Sequence, residues 1–309
     1  MVVDALHFYT VRTIVADTPL PSPSAWLLPT RLKRVEDSIH TLHLFGSAGI
    51  AAFGWAMCQM LEVDATPWVP LWFAAGLFIY NVDRLRGDPA DGLNIPERVR
   101  CAVGLRSASL VLAAVSALVL LLVPLLRQDW VTLAFVAVGT PLCLNYSIPI
   151  RGRRGKDIPY LKTFFAPTIV LGAVFMLPLT HLAHPLKISL VVESVLWAWG
   201  VLLVNMMLCD LRDMEGDLQT GVASIPARVG RSRTRQLVSL LALGTGVLAL
   251  GRAGIGSVAA RRWLGLGVAT TLYVGFLMTA VARPRGERFY ERWVEGILFL
   301  PAFIVAAIP

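Results

Sequence analysis

The sequence predicts an all-α, polytopic membrane protein with about nine transmembrane helices, on two observations. Hydrophobic residues make up 56% of the 309 positions and charged residues only 16%, which leaves too little polar sequence to cover the core of a soluble protein. The apolar residues also fall in long runs, and about 20 in succession can cross a hydrocarbon core. The predicted spans are 42–62, 67–82, 104–126, 130–149, 163–181, 186–209, 236–252, 262–282 and 293–308.

The basic residues predict the orientation of these spans, because Lys and Arg gather in cytoplasmic loops. Four of them precede the first span, and the loops after spans two, four, six and eight carry four, five, five and four. The other six lie on the opposite side. We therefore expect the N-terminus and the even-numbered loops in the cytoplasm. The net charge of +8 mostly reflects this asymmetry and does not indicate nucleic-acid binding.

The chain is expected to divide into a cytoplasmic N-terminal segment, residues 1–41, and a transmembrane domain, residues 42–309. The first segment shows no charged start followed by an apolar core and a cleavage site, so we expect no cleaved signal. The cysteines stand singly, without the spacing of a disulfide framework or a zinc site. We expect them to be small packing residues; they are Cys58, Cys101, Cys143 and Cys209.

The stretch NMMLCDLRDMEGD, residues 205–217, places three aspartates directly after the sixth apolar run. If the helix continues, Asp210 and Asp217 project about 20° apart and Asp213 and Asp217 about 40° apart, so all three carboxylates share one face. Carboxylates this close repel one another. Hard divalent cations relieve the repulsion, and Mg²⁺ favours one or two carboxylates together with phosphate oxygens. A solvated acidic helix end paired with nearby arginines is the alternative.

A second acidic cluster follows the second predicted span, in YNVDRLRGDPADGLNIPER, residues 80–98. It contains Asn81, Asp83, Asp88 and Asp91. Both clusters lie at the same predicted face of the membrane, four spans apart, which suggests two halves that face one central cavity. Ionisable groups at membrane depth are functional candidates. Two metal-binding edges suit a diphosphate, whose negative charge must be neutralised before it can leave.

A basic segment lies between the two clusters, in NYSIPIRGRRGKDIPYLK, residues 145–162. Its basic side chains and the hydroxyl of Tyr146 could bind phosphate oxygens. Arg-rich loops can also serve only to fix topology, so the interpretation of this segment as a phosphate-binding element depends on the acidic clusters beside it. The basic residues are Arg151, Arg153, Arg154, Lys156 and Lys162.

These segments resemble the UbiA-type intramembrane prenyltransferase superfamily. DLRDMEGDLQTGVASIPARVG, residues 210–230, is similar to the family pattern D-x-x-D-x-x-G-D followed by Gly, a TLP-like step and a final Gly. YSIPIRGRRGKD also resembles the Tyr-Ser-x-Pro segment of the family with its trailing basic residues. The resemblance implies nine transmembrane helices around a central cavity, with Asp-rich motifs after helices two and six. The matching residues of the second motif are Asp210, Asp213, Gly216, Asp217, Gly221, Ile225, Pro226 and Gly230.

The first motif departs from the family pattern N-x-x-x-D-x-x-x-D followed by N-x-P-x-R. DGLNIPER fits the end of that pattern, with Asp91, Asn94 and Arg98 at the usual offsets. However, Asp83 and Asp91 are eight residues apart instead of four, so one extra turn, RGDP, is inserted. We expect either that the loop bulges around Gly87–Pro89 or that Asp88 replaces one ligand.

The resemblance implies Mg²⁺-dependent transfer of a prenyl group from an isoprenyl diphosphate to a lipophilic acceptor, aromatic acceptors included, within the membrane. The implied metal ligands are Asp83, Asp88 and Asp91 at one edge and Asp210, Asp213 and Asp217 at the other. The expected catalytic residues are Asp83, Asp91, Asp213, Asp217 and Tyr146. The expected substrate-binding residues are Asn81, Arg84, Arg98, Arg151, Lys156, Lys162 and Asp210.

Two other functions fit the same residues. Ionisation of the diphosphate without an acceptor would make the chain a terpene cyclase, and the altered first motif keeps this alternative open. A transporter or a non-catalytic lipid-binding protein is the other alternative. A solute path normally places polar residues or helix breaks near the middle of the membrane, whereas the charges here lie at one face.

Overall fold

The computed structural model describes residues 30–149, 152, 154–182, 184–253 and 257–308. Within these ranges the secondary structure is helical, without a β-strand, which confirms the predicted all-α class. The helices are α1 (Thr30–Thr41), α2 (Leu44–Met60), α3 (Val69–Arg86), α4 (Pro89–Asn94), α5 (Pro96–Gly104), α6 (Arg106–Leu126), α7 (Trp130–Ser147), α8 (Leu161–Leu179), α9 (Ile188–Thr220), α10 (Ile225–Arg252) and α11 (Val258–Ala280).

Two further elements complete the fold. A 3₁₀ turn, Gly155–Asp157, lies between α7 and α8. After α11 comes the C-terminal helical segment, in which an α-helical turn (Glu287–Phe289), a π-helical turn (Tyr290–Val294) and a 3₁₀ turn (Glu295–Phe299) lead directly into a last α-helix (Leu300–Ala307). Proline stands in the first turn of α3, α4, α5 and α10, where its missing N–H costs no helical hydrogen bond.

Six helices, α6 to α11, are long and apolar enough to cross a membrane. α1 and α2, bent by 58° at the break between them, make a seventh if they form one span. α3 and the C-terminal helical segment coincide with the second and ninth predicted spans, but α3 ends in charged residues and the C-terminal segment is divided into short turns. Length and composition therefore support six or seven spans among the described residues, where the sequence predicted about nine. The polytopic membrane fold itself is confirmed.

Helices that follow one another in the chain mostly pack side by side. α9 packs against both α8 and α10, and α10 packs against α11. The C-terminal helical segment packs against α2, so the last part of the bundle contacts the first. The short helix α4 reaches across to α9. This last contact decides the geometry of the site, because α4 carries part of the first acidic cluster and α9 carries the whole of the second.

Trp72 shows how closely the helices approach in the core. Its side chain is 1% exposed, and its indole N–H donates to the carbonyl oxygen of Ala173 in α8 at 3.1 Å. Gly54 of α2 lies against the face of the ring, where a Cβ would come within 2.4 Å of a ring carbon. The absence of a side chain at Gly54 is therefore what lets α2 and α3 pack together here.

We expect Gly54→Ala to lower the free energy of unfolding by about 1–3 kcal/mol, because the added methyl forces the buried indole or the helix out of place. The measurement is equilibrium unfolding in mixed detergent micelles. Gly139→Ala is the matched control, since a Cβ at Gly139 meets no atom within 4 Å. Equal destabilisation by the two substitutions would contradict the packing described here.

Candidate active site

The ammonium group of Lys162 lies among the three aspartates of α9. Its Nζ is 2.7 Å from each carboxylate oxygen of Asp217, 3.6 Å from Oδ1 of Asp210 and 3.7 Å from Oδ2 of Asp213. The Lys162 side chain is 11% exposed, and Asp210 and Asp217 are buried at 0% and 1% exposure. Asp210 and Asp217 are therefore not solvated, as the alternative for this cluster expected, although the pairing with Arg212 that belonged to that alternative is present at Asp213. The buried cation partly neutralises three carboxylates that would otherwise repel one another.

α9 brings these carboxylates together because it does not end with its apolar run. It continues to Thr220 and is capped by Gly221, whose φ of 76° is a conformation that glycine adopts easily. The predicted sharing of one helical face is confirmed, since Lys162 contacts all three carboxylates.

Two further side chains fix the cluster in place. The hydroxyl of Thr163 donates to Oδ2 of Asp210 at 2.5 Å. Nε and Nη2 of Arg212 donate to the two oxygens of Asp213 at 2.7 and 3.2 Å. Thr163 was not predicted from the sequence, although it directly follows Lys162 in the first turn of α8.

Asn94 joins the two acidic motifs. Its Oδ1 accepts a hydrogen bond of 2.9 Å from the backbone N–H of Gly216, a residue 122 positions later in the chain. A Cβ at Gly216 would lie 2.3 Å from that oxygen, so the close approach of α4 to α9 requires glycine. Asn94, in the N-x-P-x-R end of the first motif, thus contacts Gly216, in the Gly-Asp pair of the second motif.

We expect Gly216→Ala to separate α4 from α9, and so to lower both the free energy of unfolding, by about 1–3 kcal/mol, and the affinity of the site for a diphosphate. Gly92→Ala is the control, because Gly92 also lies in α4 but a Cβ there meets no atom within 4 Å. Unfolding in mixed micelles and diphosphate binding are the two measurements. If Gly216→Ala and Gly92→Ala have the same free energy of unfolding and the same affinity for diphosphate, the Asn94–Gly216 contact does not hold α4 against α9.

The extra turn in the first motif forms a break between two helices. α3 ends at Arg86, Gly87 adopts a φ of 71°, and the Asp88 side chain accepts from the backbone N–H of Ala90 at 2.9 Å to begin α4. The predicted bulge around Gly87–Pro89 therefore has a defined structure: a glycine with positive φ followed by an aspartate N-cap.

The basic segment before α8 contacts this break. Nη1 of Arg154 lies 3.0 Å from Oδ2 of Asp88, and Lys156 forms an ion pair with the same oxygen. The loop can lie this close because Gly155 packs on Tyr146, where a Cβ would be 3.2 Å from the Tyr146 Cα. Burial alone would raise the pKa of Asp88, but Lys156, the backbone N–H of Ala90 and Arg154 together outweigh it and leave the pKa lowered.

Asp91 has the opposite electrostatic surroundings. Burial raises its pKa, Arg84 at 2.9 Å opposes the rise, and the neighbouring charges of Asp83 and Asp88 add to it, so the pKa stays above its usual range. The carboxylate of Asp83 makes no hydrogen bond or ion pair within the described part of the chain, and only its backbone carbonyl oxygen accepts, from the N–H of Gly87 at 3.3 Å. In the first motif Asp88 is therefore paired with two cations and Asp91 with one, whereas the carboxylate of Asp83 is paired with none in the described part of the chain.

The structure places the other predicted site residues as follows. Tyr146 stacks on Phe165 with ring centroids 4.9 Å apart. The amide of Asn81 is buried and donates to the carbonyl oxygens of Leu42 and Leu77, so it supports the break between α1 and α2. Arg151 lies outside the described residues.

Arg98 contacts the C-terminal helical segment. Its Nε donates to Glu291 at 2.8 Å and its Nη2 lies 3.4 Å from Glu295, while Glu287 accepts from the backbone N–H of Arg98 at 3.2 Å. These glutamates were missed from the sequence. Their repeat every four residues, which leads into the ninth predicted span and places Glu295 inside it, was the available signal, because a carboxylate at membrane depth needs a partner.

The carboxylates of the site converge on basic side chains and not on a common empty point. Within the described ranges, no group of three or more His, Cys, Asp or Glu side chains is arranged to hold a metal ion. At the second motif the position between the carboxylates is taken by Lys162, and at the first Asp88 and Asp91 face Lys156 and Arg84.

A comparison with protein-family models decides the classification. The model of the UbiA prenyltransferase family matches residues 91–295, more than half of the chain. The chain belongs to this family. The matched region begins at Asp91, so Asp83 and Asp88, in the altered part of the first motif, precede it, whereas the whole of the second motif lies within it.

This UbiA family member can also be compared with solved structures and with curated protein sequences. A solved structure of digeranylgeranylglyceryl phosphate synthase is similar, with 17% sequence identity, 89% of this chain and 99% of that chain covered, and a TM-score of 0.49. No curated protein sequence matches the chain.

Proposed function

We propose that the chain transfers a prenyl group from an isoprenyl diphosphate to a lipophilic acceptor within the membrane, in a Mg²⁺-dependent reaction. The observation that carries the proposal is the meeting of three charged segments at one end of the helices. α8 brings Lys162 to the aspartates of α9, and α4 brings the first motif to Gly216. Membership in the UbiA prenyltransferase family supports the reaction class.

The donor chemistry of the second motif fits Mg²⁺. Its three carboxylates offer the hard oxygen ligands that this ion prefers. The buried Oδ1 of Asp210 has no hydrogen-bond partner among the described residues, and the three carboxylates already surround the cationic Lys162. Bound Mg²⁺ would supply neutralisation of the diphosphate charge. The residues that would hold it are Asp210, Asp213 and Asp217 at one edge and Asp83, Asp88 and Asp91 at the other.

The basic residues of the site would stabilise the leaving group. Negative charge develops on the diphosphate as its C–O bond breaks, and cationic groups already held in place stabilise that charge without reorganising. Lys162, Lys156 and Arg84 are suited to this, because their side chains are only 11%, 12% and 7% exposed. Tyr146 would donate a hydrogen bond to the same phosphate oxygens.

The apolar spans would protect the allylic cation that remains. Water would quench such a cation, so the reaction needs dry surroundings. The lipophilic acceptor would reach the cation from the membrane. We further propose that the N-terminus and both acidic motifs face the cytoplasm, on the distribution of basic residues.

The organic product tests the proposal directly. Purified protein in nanodiscs would receive Mg²⁺, an allylic diphosphate of graded chain length and a lipid extract that contains natural acceptors. We expect mass spectrometry to find acceptors whose mass has increased by one prenyl group. A cyclised hydrocarbon formed without any acceptor would instead identify a terpene cyclase, and no organic product from any donor would indicate a binding or transport protein.

A further inference from the structure

A separate cavity of about 700 Å³ lies between the end of α4, α5, α9, the start of α10 and the beginning of the C-terminal helical segment with the residues just before it. We call it the arginine cavity. None of the six aspartates proposed as metal ligands lines it, and neither does Lys162. Asn94 and Arg212 border both this cavity and the candidate active site. The arginine cavity therefore adjoins that site without being part of it.

The lining of the arginine cavity is mainly cationic. Five arginines face three glutamates, an excess of two positive charges. The carboxylate of Glu287 is already engaged, because it accepts from the backbone N–H groups of Glu97 and Arg98 at 3.0 and 3.2 Å. The arginines are Arg100, Arg212, Arg231, Arg285 and Arg288, and the glutamates are Glu97, Glu215 and Glu287.

Two of these arginines have donors without a partner. Nη1 of Arg212 and Nη1 of Arg231 are buried, and neither finds a hydrogen-bond acceptor among the described residues. Arg212 cannot turn freely toward an acceptor, because Nε and Nη2 hold Asp213 and its guanidinium carbon lies 5.9 Å from the ring centre of Tyr290. A buried cationic N–H without an acceptor is costly. Both side chains line the arginine cavity, so a rotation of Arg231 that turned its N–H toward an anion there would remove that cost.

We propose that the arginine cavity is a binding site for a phosphate-type oxyanion, carried by a soluble phosphorylated molecule or by a lipid headgroup. The planar guanidinium group matches the geometry of phosphate oxygens and binds two of them at once. Cavities of roughly 300–1,000 Å³ hold molecules much larger than a single phosphate, so the ligand extends beyond its anionic group. This site does not depend on the proposed catalytic function.

The test uses full-length protein in phosphatidylcholine nanodiscs at low ionic strength, with a chelator to remove Mg²⁺. Calorimetry measures the binding of inorganic phosphate, and the part of that binding that a cavity variant removes is assigned to the arginine cavity. We expect Arg231→Gln to weaken phosphate binding by about tenfold or more, since a hydrogen bond to a charged group is lost. Arg233→Gln is the matched control, because Arg233 is exposed on the same helix and does not line the cavity.

A second arm distinguishes a lipid headgroup from a soluble ligand. Phosphatidylglycerol replaces part of the phosphatidylcholine, no free phosphate is added, and native mass spectrometry counts the anionic lipids retained. Binding in either arm that is lost in Arg231→Gln and kept in Arg233→Gln supports the site and identifies its source. Arg100→Gln decides the question if Arg231→Gln does not fold. Absence of binding in both arms, or binding that neither cavity variant weakens, overturns the proposal.

Discussion

The double substitution Asp213→Asn/Asp217→Asn should reduce the rate of pyrophosphate release from an allylic diphosphate by about 10³-fold or more. Both side chains keep nearly their shape, but the two negative charges that would hold Mg²⁺ are removed. Electrostatic stabilisation of the departing charge is then lost, and the loss of even one preorganised contact to such charge costs about 10²–10³-fold in rate. The measurement is a coupled pyrophosphate assay on protein in nanodiscs, with saturating Mg²⁺ and donor.

Asp64→Asn provides the matched control for this variant. Asp64 is exposed, lies between α2 and α3, and accepts from the backbone N–H of Thr66 at 2.9 Å, a contact that an asparagine oxygen can keep. We expect the control to release pyrophosphate at the rate of the unmodified protein. If the double variant does the same, α9 does not carry the metal site and the proposed mechanism is wrong.

Lys162→Met should destabilise the protein by about 3–5 kcal/mol, the cost of leaving buried charge without its partner. Asp217 loses two contacts of 2.7 Å, and Asp210 and Asp213 lose the only ammonium group close to them in the described part of the chain. We also expect weaker diphosphate binding. Equilibrium unfolding in mixed micelles measures the first effect, and titration with a non-hydrolysable diphosphate analogue measures the second.

A double-mutant cycle separates this ion cluster from simple loss of packing. Addition of Asp217→Asn to Lys162→Met removes one of the stranded charges, so the pair should cost less than the sum of the two single variants. Lys187→Met is the control, because Lys187 is exposed just before α9 begins, at the end of the helix far from the cluster. Additive effects of Lys162 and Asp217 would show that the two side chains do not interact energetically.

Much of the fold could be predicted because a long run of apolar residues is enough to predict a membrane-spanning helix. Each predicted span coincides with a helical stretch, since an unbroken apolar run in lipid must satisfy its own backbone hydrogen bonds. The ends of α9 and α3 were harder to predict. Both helices continue past their apolar runs into charged residues, to Thr220 and Arg86, and tertiary contacts with Lys162 and Asp91 support those extensions.

The separate motifs of the candidate site could be predicted from the sequence, but the contacts between residues of different motifs could not. Spacing alone places Asp210, Asp213 and Asp217 on one face of a helix. No sequence pattern indicates that Lys162, 55 residues before Asp217, lies at the centre of that face, or that Asn94 accepts from Gly216. These contacts depend on how the helices pack, which a single sequence does not encode in any local pattern.

The arrangement of Lys162 also bears on how the site works. The ammonium group and a divalent cation would draw on the same three carboxylates, so Lys162 stabilises the acidic cluster whenever Mg²⁺ is absent. Under the proposed function, a diphosphate that entered with Mg²⁺ would offer Lys162 new anionic partners. The charge of the cluster would then be balanced both with and without substrate.

Mg²⁺-dependent release of pyrophosphate by the purified protein tests the central claim most directly. The assay would compare a panel of allylic diphosphates with and without Mg²⁺, in nanodiscs supplemented with lipid extract. We expect release from at least one donor, dependent on Mg²⁺ and abolished in Asp213→Asn/Asp217→Asn. Absence of release from every donor, with acceptors and Mg²⁺ present, would contradict the assignment of this aspartate and lysine cluster as a diphosphate-ionising site.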